Sequence, residues 1–295
     1  MRTLPGKAIG QTIIIIVMVL LAFVFLFPVL FMLTNSLMSA FEVANRYTIN
    51  FNPYNSFGAD TPIHYAQLSL IPTWATFKQY LSLFFGSPFY LGLFFNSVMI
   101  ALPAVVGQVL VAVPAAYAFE VTRFRWKEPL FFVYIVIMLL PLQVTIVPNY
   151  IVSQFFHIEK SYWAIILPAI FSPFGVFLLR QFMKGLPYEY IEAAKIDGAG
   201  NIRVLTDIVL PLMKPAIVSL IILIFIEYWN VVDQAVVFIP DSVRQPLSVY
   251  LSSMMGDNGM GMIFAASCFY MLPVVLVFLY GKEYLIEGIQ LSGLK

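Results

Sequence analysis

The chain contains six apolar runs, each long enough to cross a lipid bilayer as a helix. The run closest to the N-terminus reads QTIIIIVMVLLAFVFLFPVLFML. A spanning helix needs about 20 mainly apolar residues, because each residue rises about 1.5 Å and the hydrocarbon layer is about 30 Å thick. We therefore expect an all-α membrane protein with one transmembrane domain over 1–295. The six predicted spans cover 12–33, 91–115, 130–151, 162–181, 216–236 and 262–280.

The composition is that of a protein in a lipid environment. Of the 295 residues, 61% are hydrophobic and 11% are charged, whereas soluble domains are about 25% charged. The net charge of +1 provides no overall field that would attract nucleic acid. The one cysteine, Cys268, excludes a disulfide within the chain and a cysteine metal site. Its apolar neighbours predict a buried, unreactive thiol.

The first apolar run resembles a signal peptide only at its start, where Arg2 and Lys7 precede it. The apolar region of a signal peptide has about 7–15 residues and ends at a small-x-small cleavage site. This run is longer, since it continues past Phe31 to Thr34. We therefore expect an uncleaved first helix.

Lysine and arginine are unevenly distributed between the segments that join the spans. With the N-terminus inside the cell, twelve of the sixteen fall on the cytoplasmic side, and four fall outside: Arg46, Lys78, Lys160 and Arg244. Cytoplasmic loops carry an excess of these residues. The distribution predicts that both termini are cytoplasmic. It also predicts a long external loop at 34–90, as an ordered lid on the membrane surface, and a cytoplasmic loop at 182–215.

The predicted cytoplasmic loop contains the signals of a short helix. It reads LPYEYIEAAKIDGAGNIRVLTDIVLPLMKPAI. Pro187 suits the first position of a helix, and Gly198 can close a helix in a left-handed conformation. A second helical run at 201–209 follows, and Leu210-Pro211 is predicted to stop it before the fifth span. We expect the first helix to stand out from the membrane and to fit a groove on a soluble partner.

The spacing of residues within this loop resembles the EAA loop of bacterial ABC import permeases. Glu192-Ala193-Ala194 is followed at the family's intervals by Gly198 and by an isoleucine ahead of a leucine-proline pair. The loop also lies before the last two spans, where that family has it. By this resemblance, the residues that couple the chain to an ATPase are Glu192, Ala193, Ala194, Asp197, Gly198, Ile208, Leu210 and Pro211.

Matches elsewhere in the chain are similar to the maltose-type sugar permeases, in particular the subunit with six spans. The C-terminal stretch at 287–295 represents that family's glycine-rich tail only loosely. The matching groups are Asn96-Ser97, Ala116-Tyr117-Ala118-Phe119, Pro141-Leu142-Gln143, Pro148, Ile196-Asp197-Gly198-Ala199 and Trp229-Asn230.

The resemblance implies the type I ABC importer permease fold and a defined set of partners. These are a second, homologous permease subunit, two cytoplasmic ATP-binding subunits and an extracytoplasmic solute-binding protein, in a bacterial cell membrane. ATP and Mg²⁺ would be bound by the ATPase subunits, so this chain is expected to hold no cofactor and to catalyse no reaction. The substrate implied is a sugar or oligosaccharide.

Polar residues recur in the fifth predicted span, which is otherwise apolar. Glu227, Trp229 and Asn230 lie within one helical turn, and Asn96 in the second span is a further candidate. Ionisable groups at membrane depth usually face a cavity or a partner. These four residues are therefore candidates for the transport pathway. An equal alternative is a hydrogen bond between helices, with the tryptophan as an interfacial anchor.

Several other functions find no support in the sequence. His64 and His157 have no neighbours at metal-ligand spacing, and the chain contains no phosphate-binding G-x-x-x-x-G-K loop. It also lacks a nucleophilic-serine motif and an H-E-x-x-H pair. The open alternatives are an ABC permease for a non-sugar solute and a secondary carrier driven by an ion gradient. A membrane receptor, scaffold or intramembrane enzyme is a third reading.

Overall fold

The computed structural model describes residues 5–47, 69–86, 88–253 and 260–293, and no strand occurs in these ranges. The all-α prediction is thereby confirmed. His64 and the last two residues of the chain lie outside the described part. The helices are α1 Pro5–Ser36, α2 Ala40–Tyr47, α3 Lys78–Phe85, α4 Pro88–Val121, α5 Lys127–Met138, α6 Leu142–Phe155, α7 Trp163–Ile170, α8 Pro173–Met183, α9 Tyr188–Ile196, α10 Asn201–Val204, α11 Leu210–Leu212, α12 Lys214–Trp229, α13 Asp233–Phe238, α14 Leu247–Ser253 and α15 Met260–Gly293, with a π-helical turn at Leu205–Val209.

Four helical stretches in the described ranges are long and apolar enough to cross a membrane. They are Gly10–Ser36, Pro88–Val121, Trp163–Met183 and Gly261–Leu285. The number rises to six if each of two bent helix pairs counts as one span. The predicted spans at 12–33, 91–115 and 262–280 lie inside three of the four stretches. The fourth stretch contains α7 and α8, which meet just before Pro173.

The third predicted span, at 130–151, is broken into α5 and α6, whose axes differ by 105°. The break lies at Pro141, which adopts an extended conformation immediately before α6. Proline disfavours helical geometry in the residue before it and cannot donate a backbone hydrogen bond. The sequence placed Pro141 inside a span. Its position at the break explains why one straight helix does not form.

The fifth predicted span, at 216–236, also differs from the structure. Its helix, α12, ends at Trp229, and the chain leaves helical geometry at Asn230 before α13 begins at Asp233. At its other end, α12 meets the helical segment Asn201–Leu212 at an angle of 76°. The polar residues of this span therefore lie at the end of a helix and not in its middle.

Contacts between Cα atoms divide the chain into two compact units, the first formed by Met1–Tyr90 and Ser253–Met271. Within it, Met38, Val43 and Tyr47 form a small buried core on which Phe31 and Phe264 pack. The predicted external loop at 34–90 belongs to this unit. Residues 48–68 and 87 of that loop lie outside the described residues. Its described part contains α2 and α3.

Side-chain hydrogen bonds fix the described part of that loop. The Tyr47 hydroxyl donates to Asn35 Oδ1 at 2.6 Å, and the hydroxyls of Ser36 and Tyr80 are 2.7 Å apart. On α2, the Glu42 carboxylate pairs with Arg46 at 2.8 Å and accepts the Thr73 N–H and hydroxyl at 2.8 Å each. These contacts connect α1, α2 and the segment before α3.

The second unit is formed by Leu91–Ser252 and Leu272–Lys295. Small residues allow its helices to approach closely: a Cβ at Gly107 would overlap the Ile170 side chain, which joins α4 to α7. Similarly, a Cβ at Gly281 would overlap Ile222, so α15 and α12 pack closely there. Close contact between small residues and side chains is how membrane helices gain packing energy.

The apolar surface of α1 is open. No residue in its most apolar window is buried among the described residues. Such a helix cannot gain free energy by leaving water within this chain alone, so lipid or another subunit must cover it.

Candidate functional site

The loop at 182–215 contains a short helix, α9, that is capped at its C-terminus. Pro187, in an extended conformation, precedes its first residue Tyr188, so the proline lies one position earlier than expected. Glu189 is in the first turn and Lys195 is in the last turn. Both charges are placed favourably for the helix dipole.

The C-terminus of α9 forms a Schellman motif. Gly198 has a φ of +83°, as the sequence predicted. Its N–H donates to the Lys195 carbonyl at 3.1 Å, and the Ala199 N–H donates to the Ala194 carbonyl at 2.9 Å. These two bonds satisfy carbonyls that the helix end would otherwise leave without partners. The helix therefore ends at a defined point and re-aims the chain towards α10.

The helical run after α9 ends later than predicted. The chain continues from α10 through a π-helical turn, Leu205–Val209, into α11. Leu210-Pro211 thus does not stop the run, and the break falls at Met213. A π turn changes the hydrogen-bond register, so the missing N–H of Pro211 is accommodated in the first turn of α11. Ile208 lies within the π turn.

Most of α9 is exposed. Ile191 is buried and anchors this helix. In the segment that follows, Val204, Val209 and Met213 are buried and serve as anchors. Glu192, Ala193 and Lys195 are exposed. Two isoleucines are highly exposed, Ile196 at 85% and Ile202 at 80%.

A cavity of about 640 Å³ lies beside α9. The connection after α4 contributes Arg123 to its wall, and α9 contributes Glu192 and Lys195. Glu192 thus lines the same cavity as two cationic side chains. The remaining lining residues are Val121, Thr122, Tyr188, Ile196 and Asn201.

A second polar cavity, of about 210 Å³, lies where α12 ends and α13 begins. Glu227, Asn230, Asp233 and Gln234 line it, opposite Leu142 of α6. The Asn230 Nδ2 donates to the Ile226 carbonyl at 2.7 Å. The Gln234 Oε1 is buried and has no hydrogen-bond partner among the described residues. The cavity therefore offers carboxylate and amide oxygens, which are acceptors.

The other two candidate pathway residues do not line this cavity. Trp229 is only 1% exposed, and its ring lies 5.4 Å from both the Phe94 and the Phe225 ring. The Asn96 Nδ2 donates to the Val243 and Gln245 carbonyls at 2.9 and 3.0 Å. The geometry favours a packing role for Trp229 and a loop-fastening role for Asn96.

The segment that Asn96 fastens has further anchors. The Leu247 N–H donates to the hydroxyl of Ser97 at 2.9 Å, and the Ser248 hydroxyl donates to the Val231 carbonyl at 2.5 Å. Tyr162 donates its hydroxyl to the Arg244 carbonyl at 3.0 Å. The connection from α13 to α14 is thus fixed to α4 and to the start of α7.

One functional candidate was missed in the sequence. Arg180 of α8 is buried and forms ion pairs with Glu120 and Glu128. In the sequence it counted only as one of twelve cytoplasmic charges. The available signal was an arginine inside the last turn of an apolar run, with two glutamates near the ends of the two preceding spans. The pairing itself joins residues 60 and 52 positions apart.

The long apolar helices define a polytopic membrane protein by their length and composition. The chain belongs to the family of binding-protein-dependent transport system inner membrane components, which matches residues 108–282. The ABC import permease class inferred from the EAA-like loop is thereby confirmed, and the chain is a transport component of the cell membrane, not an enzyme.

Named relatives match most of the chain. It is 29% identical over 297 residues to the arabinooligosaccharides transport system permease protein AraQ of Bacillus subtilis (strain 168), covering 100% of this chain and 99% of the relative. It is 31% identical over 240 residues to the sn-glycerol-3-phosphate transport system permease protein UgpE of Yersinia enterocolitica, covering 78% and 85%.

Solved structures confirm the fold. A bacterial ABC transporter that imports the acidic polysaccharide alginate contains a chain that matches with a TM-score of 0.77 at 19% identity, covering 97% of this chain and 99% of that one. A chain from that type of transporter in complex with a pentasaccharide-bound periplasmic protein matches with a TM-score of 0.52 at 14% identity, over 70% and 82%. The type I ABC importer permease fold expected from the sequence is therefore correct.

Proposed function

We propose that this chain forms half of the translocation pathway of an ATP-driven sugar importer and that α9 couples it to a cytoplasmic ATPase. The observation that carries the proposal is the exposure of α9. A nine-residue helix is too short to be stable in isolation, yet this one is capped, anchored by Ile191 and open on its outer face. A helix of this kind can act as a rigid lever against a partner.

The partner's contact surface would be apolar with a polar rim. Ile196 and Ile202 are exposed beside Glu192 and Lys195. Burying large apolar side chains in a groove supplies binding free energy, and charges at the rim set orientation. ATP and Mg²⁺ would be bound by two copies of this ATPase partner.

Two further partners complete the proposed importer. A second, homologous permease would form the other half of the pathway and would cover part of the exposed surface of α1. A solute-binding protein would deliver the substrate from outside. Both termini would lie in the cytoplasm, in agreement with the distribution of lysine and arginine.

The cavity at the α12–α13 break supports an uncharged, hydroxyl-rich substrate. Glu227 and Asp233 are exposed and line that cavity, although they lie at the end of an apolar span. Carboxylates are costly against lipid, so they favour an aqueous pathway or a partner. Sugar hydroxyls can donate to such acceptors, whereas a phosphate or carboxylate group would be repelled.

The alternative is a non-sugar solute carried by the same class of permease. Relatives of this chain include a permease named for sn-glycerol-3-phosphate and one named for osmoprotective compounds. The two carboxylates at the cavity disfavour an anionic solute. We therefore favour an oligosaccharide substrate over a phosphorylated one, in line with the relative named for arabinooligosaccharides, which matches over the full chain.

Cross-linking tests the proposed contact directly. Ile196→Cys, in a Cys268→Ser background, places one exposed thiol on α9. In the assembled transporter, a cross-linker with a maleimide at one end and a photoreactive benzophenone at the other should join this thiol to a C–H bond of the ATPase subunit and give a product of the summed mass. Val243→Cys is the matched control, because Val243 is also exposed but lies on the predicted external side. No product from position 196, or an equal product from position 243, would refute the proposal.

A further inference from the structure

Arg180 lies at the point where three helix ends of the second unit meet. It is in the last turn of α8, and its side chain is only 4% exposed. The Nε donates to Glu120 Oε2 at 3.1 Å, and Nη2 donates to Glu128 Oε1 at 2.8 Å. The guanidinium carbon lies 3.8 Å from the centroid of the Phe131 ring. One cation therefore contacts α4, through Glu120, and two positions on α5.

Burial determines which of these contacts matters most. The Glu120 side chain is 25% exposed, whereas that of Glu128 is 71% exposed. Water screens an exposed ion pair and leaves it with little net effect. The pair with Glu120 and the stack on Phe131 are thus the dominant contacts. An arginine this deeply buried would be strongly unfavourable if it lost both carboxylates.

The corner between α4 and α5 has a separate support. The Lys127 Nζ donates to the Glu120 carbonyl at 2.8 Å, so the two helices are tied together even before Arg180 is added. Phe177 of α8 stacks on Phe131 at 6.3 Å with an interplanar angle of 14°. Arg180 and Phe177 therefore attach α8 to a corner that is already fixed.

Arg180 lies close to α9 in the sequence, so its contacts can affect how a movement of α9 is transmitted to other helices. α8 ends at Met183, and four residues separate it from the start of α9 at Tyr188. A displacement of α9 therefore acts on the end of α8 through this short connection. With Arg180 paired, the displacement reaches α4 and α5 at the same time, whereas without it the link from α8 to α4 through Glu120 is lost and the stack of Phe177 on Phe131 is left to hold α8 to α5.

We propose that Arg180 is a positioning residue that transmits the movement of α9 to α4 and α5. The inference rests on the proposed contact of α9 with the ATPase. Because Arg180 is buried within the chain, we assign it no direct contact with substrate or ATPase. Its effect is on how much transport results from each ATP hydrolysed, and the pair with Glu120 carries most of that effect.

The experiment measures transport per ATP hydrolysed in the assembled transporter in proteoliposomes, with arabinotriose as the probe. Arg180→Gln and Glu120→Gln should lower this ratio about tenfold, within the range of about 5–150-fold typical of coupling between two sites. Glu128→Gln should lower it less, and Arg180→Lys should retain part of it through Glu120. Arg125→Gln is the matched control, because Arg125 is exposed near the same corner and belongs to no ion pair among the described residues.

A variant without unpaired charges separates transmission from folding. Arg180→Gln combined with Glu120→Gln and Glu128→Gln leaves no buried charge, so the protein should reach the membrane in normal amount. The inference holds if this variant still has the lowered ratio. A normal ratio in the triple variant, or in Arg180→Gln itself, would overturn it, because the charges would then serve folding alone.

Cross-linking from Ile196→Cys in the Arg180→Gln background distinguishes the proposed contact of α9 with the ATPase from the proposed role of Arg180. The product should persist, because α9 itself is unchanged. A normal transport ratio together with a persistent product would reject only the role of Arg180. If the Ile196→Cys variant that retains Arg180 gave no product, the contact of α9 with the ATPase would be rejected first.

Discussion

The Ala199 N–H donates to the Ala194 carbonyl, five residues earlier, at 2.9 Å. This bond can form only because Gly198, between them, has a φ of +83°. A Cβ at Gly198 would meet no atom within 4 Å, so a substitution there acts through backbone conformation and not through a clash. Gly198 therefore offers a clean test of the α9 end.

Gly198→Val should detach the ATPase or abolish uptake while the amount of protein in the membrane stays normal. A β-branched residue in this conformation costs about 1–2 kcal/mol or more, so the end of α9 would re-aim. Gly198→Asn is the control, because asparagine tolerates the left-handed region, and it should retain most activity. Co-purification of the ATPase and uptake are the measurements. Equal loss in both variants would show that the conformation at Gly198 is not the cause.

Asn230→Leu should reduce uptake without reducing membrane abundance, because Asn230 lines the polar cavity at the end of α12. Asn96→Leu should act differently. Its amide donates hydrogen bonds to two carbonyls of the segment before α14. Loss of these bonds should lower the free energy of unfolding of the purified protein by about 1–3 kcal/mol. Uptake and thermal unfolding, measured on both variants, distinguish the two roles. If Asn230→Leu transports normally, Asn230 is a packing residue.

Low pH should lower the stability of the folded α2 region. Burial by itself would raise the pKa of the Glu42 carboxyl, but hydrogen bonds from Thr73, together with the charge of Arg46, hold this pKa below its ordinary value of 4.5. A carboxyl whose pKa is lowered on folding stabilises the folded state above the unfolded pKa, and this contribution is lost as the pH falls through the folded pKa.

Hydrogen exchange of the backbone amides in α2, compared between pH 6 and pH 3, should show reduced protection at the lower pH after correction for intrinsic rates. Glu42→Gln removes the titrating group, so α2 should be less protected at pH 6 and nearly independent of pH below about 4.5. A pH dependence that persists unchanged in Glu42→Gln would assign it to another group.

Gly107→Ala should destabilise the second unit, because a Cβ there overlaps the Ile170 side chain. Adding a methyl group to a packed interface costs about 1–3 kcal/mol. Ile170→Ala should partly rescue Gly107→Ala by giving this methyl group space. Thermal unfolding of the two single variants and the double variant in detergent tests the coupling. Additive effects would mean that the two residues do not contact each other.

Local chemistry made α9 and its cap predictable. Gly198 follows a run of helix formers, and the conformation that ends a helix is favoured by glycine whatever surrounds it. The membrane class was predictable for a similar reason, since the length of an apolar run is set by the thickness of the bilayer. The all-α fold then follows, because a spanning segment must satisfy its own backbone hydrogen bonds.

The candidate pathway shows where sequence reasoning stopped. Trp229 and Asn230 are adjacent, and the sequence left both open between a pathway role and a packing or anchoring role. The structure buries the tryptophan between Phe94 and Phe225 and leaves the asparagine at a cavity. Which side of a helix faces a cavity depends on the neighbouring helices, and the hydrophobic pattern of a buried span does not encode it.

By itself, the sequence determined the membrane class, the unbroken spans, the helix α9 with its C-terminal cap and the class of transporter, because each depends on a local pattern or on bilayer thickness. The tertiary structure decided the 105° bend at Pro141 and the contact of Arg180 with Glu120 and Glu128, whose positions are 60 and 52 residues away. A proline permits several outcomes, from a kink to a complete break, and packing selects one. An ion pair between distant residues exists only after the helices that carry them have been brought together.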